Sequence, residues 1–185
     1  GGFFGANIND PEFHELLVRW FEYGCFCPVM RLHGYRWPLQ PQYGTTGGAT
    51  CVSGAPNEVW SYTDQVCEIL SDYLRLRERM LPYITELMEE AHEKGTPVMR
   101  PLFYDFPEDK ESWNVETEYM FGPKVLVKPI TDADARETDV YLPGGASWTN
   151  AWTGETFEGG QKVHVAAPIE QIPLFTRDGY KLPMK

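Results

Sequence analysis

Lys94-Gly95-Thr96-Pro97 divides the chain into two kinds of pattern. Glycine ends a helix by taking a left-handed backbone at little cost, and proline cannot continue one, so a helix must stop here. Before this point apolar residues recur at helical spacing. After it, short apolar or alternating runs are separated by Gly and Pro. The 185 residues, 42% of them hydrophobic, suffice for a packed core in one large domain or two small ones. The division predicts an α/β segment over 1–95 and an all-β segment over 96–177. Residues 178–185 read as a loose tail or the start of a truncated further domain.

In the first half, Asn9 or Asp10 can cap a helix that opens on Pro11, where the missing N–H would have no partner anyway. Phe13, Leu16, Leu17, Trp20 and Phe21 then form one apolar stripe, and Gly24 ends it. Phe26 to Gly34 reads as a short strand covered on both faces, bounded by Pro28 and Gly34. The order loop, helix, strand, loop resembles the close of a β/α repeat. His33 stands at the carboxyl end of that strand, where parallel barrels gather their ligands, and is either a ligand contact or a packed core histidine. A Gly-, Thr- and Pro-rich stretch with Trp37, Tyr43 and Trp60 follows, long enough to be a functional loop or a surface excursion. A long helix starts at Ser61 or Thr63, carries Val66, Ile69, Leu70, Tyr73, Leu74, Leu81, Ile84 and Leu87 on one stripe, and is interrupted by Pro82. The charges from Arg75 to Arg79 read as its solvated face.

Beyond Pro97, strands are expected at Val98–Tyr104, Tyr119–Val127, Thr138–Leu142, Trp148–Trp152, Lys162–Val165 and Ile172–Thr176. Turns such as Pro143-Gly144-Gly145 and Glu158-Gly159-Gly160 separate them, which predicts an antiparallel sandwich. Trp148 and Trp152, four residues apart, are expected on one face.

The net charge of −11 argues against nucleic acid as a partner, because phosphate contacts need clustered Lys and Arg. No run of about 18 apolar residues suggests a membrane span. Cys25, Cys27, Cys51 and Cys67 match no paired zinc spacing and leave the β-rich half without thiols. They are expected as free thiols in a reducing compartment, hence a cytoplasmic protein with no metal and no cofactor. No GxSxG, HExxH, P-loop or GxGxxG occurs, and no pair of carboxylates stands out as a glycosidase pair would have to.

Several segments, in order, carry a resemblance that spacing alone does not. Gly1-Gly2-Phe3-Phe4-Gly5, Pro11-Glu12-Phe13, Val18-Arg19-Trp20-Phe21 and Pro28-Val29-Met30-Arg31-Leu32-His33-Gly34 resemble glycoside hydrolase family 31, the α-glucosidases, α-xylosidases and relatives. So do Leu81-Pro82-Tyr83, the stretch from Gly95 to Leu102, Phe121-Gly122-Pro123, Tyr141-Leu142-Pro143, Trp152-Thr153-Gly154 and Ile172-Pro173-Leu174-Phe175. The resemblance implies the C-terminal part of a (β/α)8 barrel followed by an antiparallel β-sandwich. It also implies part of a retaining enzyme that releases terminal α-linked xylose or glucose from oligosaccharides. The aromatic of the GGF motif, Phe3, would wall the innermost sugar subsite, and the histidine of the R-x-H motif, His33, would contact hydroxyls of the same sugar. The family's aspartate nucleophile and aspartate acid/base lie on earlier barrel strands and have no counterpart here, so no catalytic residue is assigned and the isolated chain is expected to be inactive. Arg31-Leu32-His33-Gly34 is similar to the form seen in α-xylosidases. The expected partners are the oligosaccharide and the remainder of the same chain, with an oligomer also open. Helix faces around Leu16, Trp20, Leu70 and Leu81 should then lie exposed for want of barrel partners. The six tryptophans keep a second reading open, a non-catalytic carbohydrate-binding or structural sandwich module.

Overall fold

A helical layer, a six-stranded antiparallel sheet and a two-stranded ribbon stack in that order. The computed structural model describes residues 6–41, 45–46, 49–50 and 53–184. The helices are α1 (Pro11–Cys25), α2 (Asp64–Arg79) and α3 (Leu81–Lys94). Asp10 caps α1 by accepting the Glu12 N–H at 3.0 Å, and Thr63 caps α2 by accepting that of Val66 at 3.3 Å. The expected interruption falls at Met80, so that Pro82 sits harmlessly in the first turn of α3. Gly95 ends α3 with φ 69°, the left-handed cap its position demanded.

The stripe on α1 is split. Phe13, Leu17 and Phe21 are buried, whereas Leu16 and Trp20 are each 46% exposed. Leu81 is exposed as well, but Leu70 is fully buried. The expectation for Leu70 fails because α2 packs directly on α1 and covers it.

Between α1 and α2 the regular structure is slight. Strands β1 (Arg36–Gln40) and β4 (Ser53–Ala55) pair antiparallel, as do β2 (Thr45–Thr46) and β3 (Ala49–Thr50), so this stretch is more ordered than a plain loop. The buried strand expected over Phe26 to Gly34 does not form. Phe26 is buried, but bends follow, Val29 is 76% exposed, and only His33 occupies a single bridge position. A strand needs neighbours for its N–H and C=O groups, and among the described residues none runs alongside.

The second half forms β5 (Met99–Arg100), a short helix α4 (Leu102–Asp105), β6 (Tyr119–Phe121), β7 (Val125–Val127), β8 (Glu137–Leu142), β9 (Ser147–Asn150), β10 (Thr156–Glu158), β11 (Gln161–Ala166) and β12 (Leu174–Arg177). The strand expected over Val98–Tyr104 stops at Arg100, because Pro101 removes a ladder donor and its φ of −62° turns the chain into α4. Strand β10 escaped the sequence reading. The sheet order is β10-β9-β12-β7-β6-β5, and β8 pairs with β11 apart from it.

Alternation along the central strands explains the layering. Phe121, Val125, Val127 and Leu174 join the helices in one core, while Met120, Leu126 and Phe175 join Val140, Leu142 and Trp148 in another. A sheet covered on both faces needs apolar residues at every position, which is why β7 reads Val-Leu-Val. Trp148 and Trp152 do not share a face. Trp148 fills the second core, whereas Trp152, past the end of β9, packs against the first. Gly122, at φ 59°, lies against Tyr83 and Leu87, where a Cβ would collide with both. That lets Tyr83 donate to the Phe121 carbonyl at 2.9 Å.

Three arginines tie the layers together across long stretches of sequence. Arg77 on α2 donates to the carbonyls of Cys25, Cys27 and Pro28, so the Arg75–Arg79 charges are not simply a solvated face. Arg79 donates to the Pro183 and Met184 carbonyls at 2.8 Å, and Leu182 is buried, so residues 178–184 are not a loose tail. Arg19 on α1 reaches the carbonyls of Ala135, Ala167, Pro168 and Gln171 as well as the Glu22 carboxylate at 3.1 Å.

Glu22 is almost wholly buried, and desolvation pushes its pKa up to about 8 despite the attraction of Arg19. The folded chain therefore holds a proton that the unfolded chain releases near the ordinary carboxylate value. Stability from this group is complete below about pH 4.5 and is lost as pH rises through about 8. Tyr73 Oη lies 3.1 Å from Glu22 and 3.2 Å from the Glu170 carbonyl, so it can accept from a protonated or amidated side chain while donating to Glu170. Glu22→Gln is expected to leave stability unchanged near pH 5 and to raise it between pH 8 and 9, measured as urea midpoints. Equal midpoints for the two proteins at every pH would count against a buried neutral Glu22.

Candidate functional site

His33 is placed by the end of α1 and the turn after it. Arg77 grips the carbonyls of that turn, and the Tyr119 hydroxyl donates to the Phe26 carbonyl at 3.0 Å. Two arginine nitrogens on three carbonyls hold a turn firmly, because a guanidinium donates in a fixed fork. The chain then runs out to Arg31, Leu32 and His33, and the His33 side chain is exposed. It is a surface group, not a packed core histidine.

Arg31 Nη2 lies 3.1 Å from His33 Nδ1. A guanidinium only donates, so Nδ1 accepts and the ring carries its proton on Nε2. The neighbouring hollow, about 230 Å³, is lined by Leu17, Trp20, Phe21, Met30, Leu32 and Arg36 among others. Phe3, the other residue assigned to the sugar, lies outside the described residues.

Sequence reasoning missed the support on the far side of His33. Arg36 is fully buried, with its Cζ 5.1 Å from the centre of the Phe13 ring. Arg36 Nε donates to the Tyr62 hydroxyl at 3.2 Å, and that hydroxyl donates to Asn57 Oδ1 at 2.8 Å. Burial pushes the Tyr62 pKa above its usual value, which keeps it a donor. Asn57 Nδ2 in turn approaches the carbonyls of His33 and Gly34 at 3.5 and 3.4 Å. The available signal was a lone cation inside the aromatic run Tyr35-Arg36-Trp37, which cannot be buried without polar partners.

Other features are less suited to ligand chemistry. Among the described residues no three His, Cys, Asp or Glu side chains are arranged to hold a metal ion. A hollow of about 640 Å³ lies between α2 and the segment before β12, lined by Glu68, Asp72, Trp152, Glu170 and others, and contains none of the residues assigned from the sequence. Of the six tryptophans, three in the second half of the fold have partners within the chain. Trp148 is buried, Trp152 donates to the Ile172 carbonyl at 2.7 Å, and Trp113 stacks on Phe103 with ring centres 4.5 Å apart.

Residues 1–87 match the family described as the glycosyl hydrolases family 31 TIM-barrel domain, and residues 95–182 match the glycosyl hydrolase family 31 C-terminal domain. The chain is 36% identical over 184 residues to an alpha-xylosidase of Saccharolobus solfataricus, covering 100% of this chain and 23% of that protein. It is also 36% identical over 179 residues to alpha-glucosidase 2 of Bacillus thermoamyloliquefaciens, covering 96% of this chain and 20% of that protein. Among solved structures, a GH31 alpha-xylosidase from a soil metagenome, complexed with xylose, superposes with a TM-score of 0.92 at 47% identity, over 98% of this chain and 27% of that one. A Flavobacterium johnsoniae GH31 dextranase complexed with glucose superposes with a TM-score of 0.78 at 29% identity, over 94% of this chain and 20% of that one. The chain thus spans about a fifth to a quarter of the length of these relatives.

Proposed function

Because the chain belongs to glycosyl hydrolase family 31, we propose that it is the C-terminal portion of a retaining α-glycosidase that releases terminal α-linked xylose or glucose from oligosaccharides. Residues 1–95 are the last strands and helices of the catalytic barrel, and 96–177 are the β-sandwich that follows it. The observation that carries this reading is His33, exposed beside Arg31 at 3.1 Å within the residues that match the family's TIM-barrel domain. The GGF motif assigns Phe3 to the same subsite. The carboxylate pair that breaks the glycosidic bond comes from the remainder of the polypeptide, which covers the exposed side chains of Leu16, Trp20 and Val29. The same chain works in a reducing, cytoplasmic compartment, a reading supported by Cys25, Cys27 and Cys67 as free thiols.

The experiment compares nitrophenyl α-xyloside and α-glucoside turnover by the purified 185-residue chain and by the longer enzyme that contains it. No release is expected from the chain alone, and steady release from the longer enzyme. Hydrolysis by the chain alone would mean that its own carboxylates suffice, and the division of labour would be wrong. The ratio of the two kcat/KM values assigns the preferred sugar. Arg31-Leu32-His33-Gly34, the α-xylosidase-like form, predicts that the xyloside is favoured.

A further inference from the structure

The backbone that carries His33 is held by three side chains that belong to none of the recognised motifs. Each donation among them has a fixed direction. The Arg36 guanidinium can only donate, so the Tyr62 oxygen accepts it and the single Tyr62 proton goes to Asn57 Oδ1. That fixes the Asn57 amide, and its Nδ2 faces the carbonyls of His33 and Gly34. The reverse amide orientation would set the Asn57 oxygen against two carbonyl oxygens. Gly34 has φ 91°, a conformation that side-chain-bearing residues avoid, so this bend is specified by the backbone and needs holding.

The far end of the chain is equally fixed. The Tyr62 ring packs against Phe13 and His14 of α1, with centres 6.2 and 5.7 Å apart. Glu58 accepts both the Asn57 N–H at 3.0 Å and the Ser61 hydroxyl at 3.1 Å, which stiffens the segment between Asn57 and Tyr62. Here α1, rather than the loop itself, is the reference against which the His33 peptide is set.

We propose that Asn57, Tyr62 and Arg36 are positioning residues for His33, and that they set the direction in which its imidazole meets the sugar. This rests on the reading of His33 as a sugar contact. A displaced catalytic contact costs far more than a lost surface hydrogen bond, about 100-fold in rate for a shift of about 1 Å. The Asn57 and Tyr62 contacts therefore act on catalysis through His33.

The test is a double-mutant cycle in the longer enzyme. Asn57→Ala and Tyr62→Phe are each made in the natural background and in His33→Ala, and kcat/KM is measured with nitrophenyl α-xyloside. Tyr62→Phe keeps the ring against Phe13 and removes only the hydroxyl, so it guards against a folding artefact. Each change alone is expected to lower kcat/KM about 10-fold, with an unfolding midpoint close to that of the parent. In the His33→Ala background each is expected to change it less than about twofold, because coupled residues do not add. Asn57→Asp keeps the acceptor for Tyr62 but sets a carboxylate against the two carbonyls, and should be as impaired as Asn57→Ala. Full additivity in the two backgrounds, or undiminished kcat/KM in Asn57→Ala, overturns the proposal while leaving the sugar contact intact. An unimpaired His33→Ala enzyme overturns both.

Discussion

Replacing Arg19 by alanine is expected to destabilise the chain by about 3–5 kcal/mol, because Glu22 and four backbone carbonyls lose their donor at once, at about 1 kcal/mol each. Arg19 is 7% exposed and Glu22 1% exposed, so neither has water to fall back on. The substitution strips a donor from four backbone carbonyls at once, those of Ala135, Ala167, Pro168 and Gln171. These belong to the connections before β8 and β12, so the damage falls where α1 meets the sheet. At a slope of about 2 kcal/mol per molar urea, the midpoint should drop by about 2 M. Arg19→Lys should recover only part of this, because an ammonium has three donors and no planar fork with which to serve carbonyls on both sides. A midpoint within about 0.3 M of the parent in Arg19→Ala would show that the carbonyls find other partners on relaxation.

His33→Ala in the longer enzyme is expected to lower kcat/KM about 100-fold, with most of the loss in kcat. Hydrogen bonds to sugar hydroxyls in this chemistry strengthen as the ring flattens towards an oxocarbenium ion, so a donor lost there is lost chiefly from the transition state. His33→Gln, which keeps an N–H donor on a comparable reach, should restore part of the rate. A substrate that lacks the contacted hydroxyl should show little difference between parent and variant. Loss of affinity alone, with kcat preserved, would make His33 a uniform binding contact rather than one that acts in the reaction.

Local chemistry was legible in the sequence because its causes are local. Asp10 before Pro11, Thr63 before Asp64 and Gly95 after Lys94 each set a helix end with groups a few residues apart. The family motifs singled out His33, which lies at the surface beside Arg31 but not at the end of a strand. What sequence reading could not supply was partnership over distance. Arg19 serves carbonyls more than a hundred residues away, and Arg77 grips a turn about fifty residues before it. Both look like ordinary helix charges in the sequence. The stretch from Phe26 to Gly34 failed in the opposite way, since an apolar composition announces a strand but only a neighbouring strand makes one. Leu70 failed for the same reason, because α1 supplied a covering that periodicity cannot count. Arg36, Asn57 and Tyr62 were hidden by a run of Gly, Thr and Pro that offers no period from which to assign a face.

The sheet with both sides covered has a consequence for how the molecule comes apart. Leu174 and Phe175 are adjacent residues of one strand, yet one belongs to the core shared with the helices and the other to the core shared with the ribbon. Melting either flank strips the same strand of half its burial. The two matched families meet near Gly95, yet the two halves are expected to gain and lose order together, as a single cooperative unit.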